Sequence, residues 1–147
     1  MSALDELYRE IILDHYKNPR NRGRLPEPDI ATQGSNPLCG DEIELSLIVR
    51  DGRVTDVAFQ GKGCSISQAS ASMMTEGIKG KTILEVRALA DAFKDMMNGE
   101  TEPDPDVLGD VEALAGVRKY PVRVKCATLA WTTLLEGLDL LQKATKR

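Results

Sequence analysis

The sequence predicts an α+β fold: a small antiparallel three-stranded sheet with helices packed on one face. Three observations predict it. Helical periodicity opens the chain, two alternating segments joined by Asp51-Gly52 follow, and helical periodicity returns from residue 65 to the end. Two strands joined by so short a turn must run antiparallel, and their shared apolar face needs covering by helices.

Ser2 is placed to cap a first helix by accepting from free backbone N–H groups. Leu4, Leu7, Tyr8, Ile11, Ile12 and Tyr16 recur on its apolar stripe until Pro19 stops it. Residues 20–38 carry Pro26, Pro28 and Pro37 and read as an irregular approach with a short edge strand at 30–33. "EIELSLIVR" (42–50) puts Ile43, Leu45, Leu47 and Val49 on one face, and "RVTDVAFQG" (53–61) returns beside it. After Cys64 a helix carries Ile66, Ala69, Met73, Met74 and Ile78, with Gly80 as its terminator. Thr82 and Glu85 form a capping box for the next helix, which runs to Asn98 and ends at Gly99. Pro103 and Pro105 make "ETEPDPD" (100–106) an acidic surface loop. A short helix is expected over "DVEALAG" (110–116), and a long one from Pro121 through "CATLAWTTLLEGLDLLQKA". Met73, Met74, Met96, Met97 and Trp131 are expected to fill the core.

The 147 residues suit one domain, 1–147, able to bury a core without disulfides. A net charge of −4 argues against nucleic acid as the main partner, since phosphate binding needs a basic face. The basic cluster "KNPRNRGR" (17–24) reads as a solvated loop. No apolar run approaches the ~20 residues a membrane span requires. The first residues read as an acidic amphipathic helix rather than a signal peptide, so no membrane association and a cytoplasmic location are expected. There thiols stay reduced, and the three cysteines make an odd number for a disulfide framework.

Those three, Cys39, Cys64 and Cys126, stand at element boundaries, with Asp41 two residues after the first. The hairpin brings Cys39, Asp41 and Cys64 to one end of the sheet, and a suitably docked last helix adds Cys126. Three thiolates and a carboxylate suit a tetrahedral zinc ion, which cuts their summed charge from −4 to −2. Two alternatives stay open on residues alone. Free cysteines are commonly small buried hydrophobes, and Asp41 could simply cap a turn. Gly40 and Gly63 beside two of the cysteines would let backbone crowd a ligand cage.

"DHYKNPRN", "NPLCGD", "GKGCSISQASASMM", "LGDVEALAGV" and "RVKCATLAW" appear in this order across about residues 3–140. Together they resemble the SufU family, zinc-containing relatives of the IscU iron–sulfur scaffold proteins. Two departures from the IscU pattern favour SufU. Lys125 stands where IscU proteins place a histidine ligand, and an extra stretch around "TEPDPDVLGDVEALAGV" (101–117) separates the second and third cysteines. The Leu-Pro-Pro-Val-Lys segment of IscU is missing, with "YPVRVK" (120–125) a distant echo.

The resemblance implies a SufE/IscU-like fold and a sulfurtransferase that accepts sulfur from the persulfide of a PLP-dependent cysteine desulfurase of SufS type. It would pass that sulfur toward downstream iron–sulfur scaffold proteins. Carried onto this chain, Cys39, Asp41, Cys64 and Cys126 would bind Zn2+, and Cys39 would accept the sulfur after a desulfurase histidine replaces it on the metal. The alternative is a scaffold on which a [2Fe–2S] cluster is assembled by the same cysteines. A third reading is a zinc-stabilised interaction module without sulfur chemistry. Arg123 and Lys125 flank Cys126, either offsetting the site's charge or standing as exposed first-turn residues. His15, the one histidine, reads as an interfacial or satisfied surface residue rather than a partner in a Cys–His pair.

Overall fold

Alternating side chains and turn chemistry fix the sheet. Strands β1 (Ile30–Asn36), β2 (Asp41–Arg50) and β3 (Arg53–Lys62) lie in that order, each antiparallel to its neighbour. Asp51 (φ 54°) and Gly52 (φ 74°) both have positive φ, the pattern of a two-residue turn whose twist matches the strands. The register runs from Glu42↔Lys62 to Arg50↔Arg53, with an irregularity between Ile48 and Val49. This is a computed structural model, which describes residues 3–145 and the side chains of residues 3–143. The cap expected from Ser2 lies outside them.

The edge strand extends three residues past the expected Gln33, to Asn36. The difference matters, because Asn36↔Asp41 is the last pair before the cysteine turn. Gly34 and Gly137 allow the extension to pack. A Cβ on Gly34 would meet Thr133 Oγ1 at 2.1 Å, and one on Gly137 would meet Ile30 Cγ2 at 2.8 Å. The backbone of β1 thus lies close under the last helix, α5 (Pro121–Thr145).

The basic loop is not simply solvated. Phe59 N–H donates to the Asn21 carbonyl at 3.0 Å, and Gly23 N–H donates to the Phe59 carbonyl at 2.7 Å. Arg22 therefore adds a parallel bridge to the outer edge of β3. Leu25 N–H then reaches Ser46 Oγ on the central strand, and Asp29 N–H reaches the Leu47 carbonyl. The segment 21–29 straps across the face that the helices leave uncovered and blunts one sheet edge. Arg20 pairs with Asp14 and Glu76, and Arg24 with Glu44.

Helix α1 (Ala3–Lys17) buries Tyr8, Ile12 and His15, while Leu4, Leu7 and Tyr16 are exposed. The buried face is rotated from the apolar stripe because it includes the imidazole, which corrects the expected surface histidine. His15 is wholly enclosed, its Nδ1 2.8 Å from Ser72 Oγ and its Nε2 2.9 Å from Asp110 Oδ2. Burial without partners would cost this ring a few kcal/mol.

Helices α2 (Ser65–Ile78) and α3 (Ile83–Met97) end at Gly80 (φ 85°) and Gly99 (φ 76°) as the sequence predicts. The capping box of Thr82 and Glu85 is formed, with both hydrogen bonds present. The acidic loop is shorter than predicted. Asp104 caps a single helical turn, α4 (Pro105–Leu108), which accepts Pro105 because the first helical position needs no N–H donor. A 3-10 segment (Gly109–Val117) follows, burying Val111, Leu114 and Val117 against α1 and α2.

Trp131 is the centre of the core. It stacks on Phe93 with ring centroids 4.6 Å apart and donates its Nε1–H to Ser70 Oγ at 3.1 Å. Met73, Met74, Met96 and Met97 are all buried in the same core. Among the described residues no helix is long and apolar enough to cross a membrane.

Candidate metal centre

Local geometry aims the donors before any metal is considered. Cys39 sits in the turn between β1 and β2, its N–H bonded to the Asn36 carbonyl at 3.2 Å. Asp41 opens β2, and the antiparallel pairing sets it opposite the end of β3. Cys64 is the residue that caps α2, its sulfur accepting from Ser67 N–H at 3.4 Å. Cys126 lies one turn and a half into α5, which the close contact with β1 holds over this end of the sheet.

Three of the four predicted residues, Cys39, Asp41 and Cys126, form one close set, and Cys64 adjoins it through Asp41. Cys126 Sγ is 3.1 Å from Cys39 Sγ, and Cys64 Sγ is 4.0 Å from Asp41 Oδ2. Ligand atoms of Cys39, Asp41 and Cys126 all lie within 4.8 Å of one another. Two sulfurs bound at 2.3 Å to a tetrahedral ion stand ~3.8 Å apart. The Cys39–Cys126 sulfur pair, at 3.1 Å, lies inside that spacing, and the set mixes soft and hard donors that zinc accepts. The residues fit a zinc ion.

Asp41 bonds across to the start of α2. Its Oδ1 accepts from Cys64 N–H at 2.9 Å, which ties β2 to the start of α2, while Oδ2 faces the Cys64 thiol. The carboxylate is buried against Gly63, where a Cβ would meet Asp41 Oδ1 at 2.4 Å. Gly63 therefore serves the crowding function expected of it. Gly40 does not: nothing lies within 4 Å of its Cβ position, and its φ of 70° is what the turn requires.

The thiols differ in their surroundings. Cys126 is 0% exposed, and burial, reinforced by Cys39, Asp41 and Cys64, pushes its thiol well above the ordinary range. Cys39 and Cys64 are half-buried. Leu38, next to Cys39, is 68% exposed, so this end of the sheet is at the protein's rim. The guanidinium of Arg123, three residues before Cys126 on α5, belongs to an exposed side chain. The negative charge of Cys64, then that of Cys126, holds the guanidinium above its usual value. Lys125 is exposed on the same helix.

Sequence reading missed two supports. Asn36 Nδ2 stands 3.9 Å from Cys126 Sγ, and Ser67 donates through its backbone. An Asn before a Pro-containing turn is a common enough turn signal to hide the first, and a main-chain donor leaves no trace in residue type.

A second cluster, His15 with Glu76 and Asp110, gathers possible ligands within 4.8 Å. Arg20 already sits on Glu76 at 3.6 Å and supplies the cation there. The Ser72–His15–Asp110 sequence of contacts is likewise structural, because Ser72 is fully buried and its Oγ accepts from Arg20 N–H at 2.8 Å.

The chain is similar to known proteins over most of its length. The family described as NifU-like N terminal domain matches residues 7–127. A relative from Bacillus subtilis (strain 168), the zinc-dependent sulfurtransferase SufU, is 52% identical, covering 92% of this chain and 91% of its own. The iron–sulfur cluster assembly scaffold protein IscU of Streptococcus pyogenes serotype M1 is 45% identical over 94% of this chain and 86% of its own. A crystal structure from Fervidobacterium islandicum AW-1 shows a candidate iron–sulfur cluster assembly scaffold protein for the SUF system. It aligns with a TM-score of 0.83 at 38% identity, over 88% of this chain and 94% of that one. The N-terminal NifU-like protein of Brucella abortus aligns at 0.86 with 30% identity, over 97% and 99%.

Proposed function

The chain belongs to the family of NifU-like N-terminal domains, which includes the SufU and IscU proteins of iron–sulfur cluster assembly, and we propose that it is a zinc-dependent sulfur acceptor within that system. Cys39, Asp41, Cys64 and Cys126 would hold the zinc, and Cys39 would take the sulfur. When bound, zinc keeps thiols deprotonated without any redox chemistry of its own. The partner is a PLP-dependent cysteine desulfurase of SufS type, the recipients are downstream iron–sulfur scaffold proteins, and the setting is cytoplasmic.

One observation carries the reading: Cys39 is half-buried on a rim turn beside exposed Leu38, while Cys126 is sealed in the core. A persulfide on a partner's loop can approach the first and not the second. The Cys39 thiolate attacks the outer sulfur of that persulfide. A new S–S bond forms, the old one breaks, and its electron pair leaves with the desulfurase cysteine as thiolate.

The test is desulfurase turnover with reductant and no added iron, with and without the zinc-loaded protein. Stimulation that disappears with Cys39→Ala, in a variant whose circular dichroism is unchanged, supports the reading. No stimulation by the unaltered protein overturns it. The scaffold alternative draws on the IscU relatives and on the same cysteines. It predicts a brown protein with visible absorption after supply of iron and sulfide, where the sulfur acceptor stays colourless.

A further inference from the structure

The two edges of the sheet are finished differently. Along β3 the strap bridges Arg22 to Phe59, and Arg53 pairs with Thr82 at the other end. There Val54 N–H also donates to the Lys81 carbonyl at 2.8 Å, and Gly80 N–H donates to the Val54 carbonyl at 2.7 Å. Beyond β1 no strand or bridge follows among the described residues. Yet β1, "IATQGSN", carries no charge and no proline, and its register with β2 is unbroken. Charges, prolines and bulges are what keep a bare edge from pairing with another strand, and this edge has none of them. The helix layer continues the same lateral face. Gly34 lies under Leu129 and Thr133, and Gly137 over Ile30 and Thr32, so α5 runs along β1 in the opposite direction. The inner flank of α5 is occupied, since Trp131 meets Ser70 of α2 and Phe93 of α3. On the outer flank Val122, Lys125, Leu129, Glu136 and Leu140 recur at helical spacing. Val122 is 52% exposed and Leu140 60%, and Lys125 and Glu136 are exposed as well.

We propose that this lateral face, the β1 edge with the outer stripe of α5, binds a second copy of this chain about a twofold axis perpendicular to the sheet. The two sheets then join into one of six strands. Such an axis sets two β1 edges antiparallel while keeping both helix layers on the same side, and it makes the contact isologous. An axis through Gly34 passes α5 at Trp131, midway along the chain between Leu129 and Thr133. Val122 and Leu140 stand nine residues to either side of Trp131 and meet across that axis. Lys125, six residues before it, meets Glu136, five residues after it. The stripe therefore complements itself in charge and in apolar contact, which is what favours a copy of this chain as the occupant. From Val122 to Leu140 the stripe is ~27 Å long. With a height of about 18 Å for one helix over one strand, the face offers ~500 Å2 per chain. That lies near the lower bound for a specific interface, so association is weak and depends on concentration.

Sedimentation velocity on the full chain tests this over a concentration series reaching ~1 mM, where even a weak specific dimer is populated. A species of twice the chain's mass should grow in as concentration rises. Glu136→Lys sets like charges opposite each other at two symmetric positions and should weaken association about tenfold. Lys125→Glu should weaken it likewise, and the double exchange Lys125→Glu with Glu136→Lys should restore it. Hydrogen exchange gives a second readout within β1, where alternate amides should exchange more slowly in the concentrated sample than in the dilute one. Those results together support the proposal. A single species of one chain's mass throughout the series overturns it. A dimer that the single exchanges leave unchanged, that the double exchange does not restore, or that leaves the β1 amides unprotected forms through another face and overturns it equally.

Discussion

At the scale of single residues, the carboxylate of Asp41 is the one group asked to do two things, and the two can be separated. Asp41→Asn keeps an oxygen that can accept from Cys64 N–H but removes the negative charge proposed to hold zinc. It is expected to hold its denaturation midpoint and to surrender zinc at a lower chelator concentration than the unaltered protein. Asp41→Ala should fail in both respects, the orphaned buried N–H costing about 1–3 kcal/mol. Equilibrium unfolding of the metal-free proteins in urea and a competition titration with a zinc chelator measure the two effects independently. Gly63→Ala acts on the same carboxylate from outside. Its methyl would stand 2.4 Å from Asp41 Oδ1 and 2.6 Å from Ser67 Oγ, at a φ of 152° that suits glycine. Zinc retention should fall in this variant although no ligand has been touched, and a metal assay after gel filtration checks it. The gathering of Cys39, Asp41 and Cys126 was readable because potential ligands show in residue type. The bond from Cys64 N–H to Asp41 was not, because a main-chain donor leaves no trace in residue type.

At the scale of elements, α1 and the 3-10 segment hold each other through two polar links. Tyr8 Oη donates to Glu112 Oε1 at 2.8 Å, and His15 meets Asp110 at 2.9 Å. Burial, then the bond to Glu112 and its charge, pushes the Tyr8 phenol up to about 12. A group raised in the folded state contributes stability that is complete below its unfolded value near 10 and is lost as pH rises through about 12. Unfolding midpoints measured from pH 9 to 12 should therefore fall, and Tyr8→Phe should flatten that part of the curve. Asp110→Ala leaves a wholly enclosed imidazole with one partner fewer and is expected to cost about 1–3 kcal/mol, read as a lower urea midpoint. The element boundaries were legible wherever a cap, a glycine or a proline marks them, as at Thr82, Gly80 and Asp51-Gly52. The burial of His15 was not, since an apolar stripe through Leu4 and Leu7 outvotes one imidazole in any periodicity argument. The strap through Arg22 was hidden for a similar reason: its pairing to Phe59 uses backbone groups that any residue carries.

At the scale of the whole molecule, the donors come from four places in the chain, and a zinc ion bound there would join the sheet to the last helix. Ligand binding to the folded state alone stabilises it by about 2.7 kcal/mol at a hundredfold excess over Kd. For a chain of this length that shifts Tm by roughly 5–10 °C. Chelation should lower the melting temperature by that order, and Cys126→Ser should abolish the difference between metal-loaded and metal-free samples. The α+β class followed from the order of periodicities alone, but the placement of α5 did not. It depends on Gly34 and Gly137 letting two backbones approach, and small residues leave no periodic signal. The separation of the cysteines has a temporal meaning as well. Cys39 and Cys126 are 87 residues apart, and their sulfurs meet only once α5 has packed on β1. While the chain is being synthesised, the hairpin and its two thiols emerge long before the third. Metal capture in this geometry therefore waits for the polypeptide to be nearly complete, and a truncated product that lacks α5 cannot pass for the finished protein.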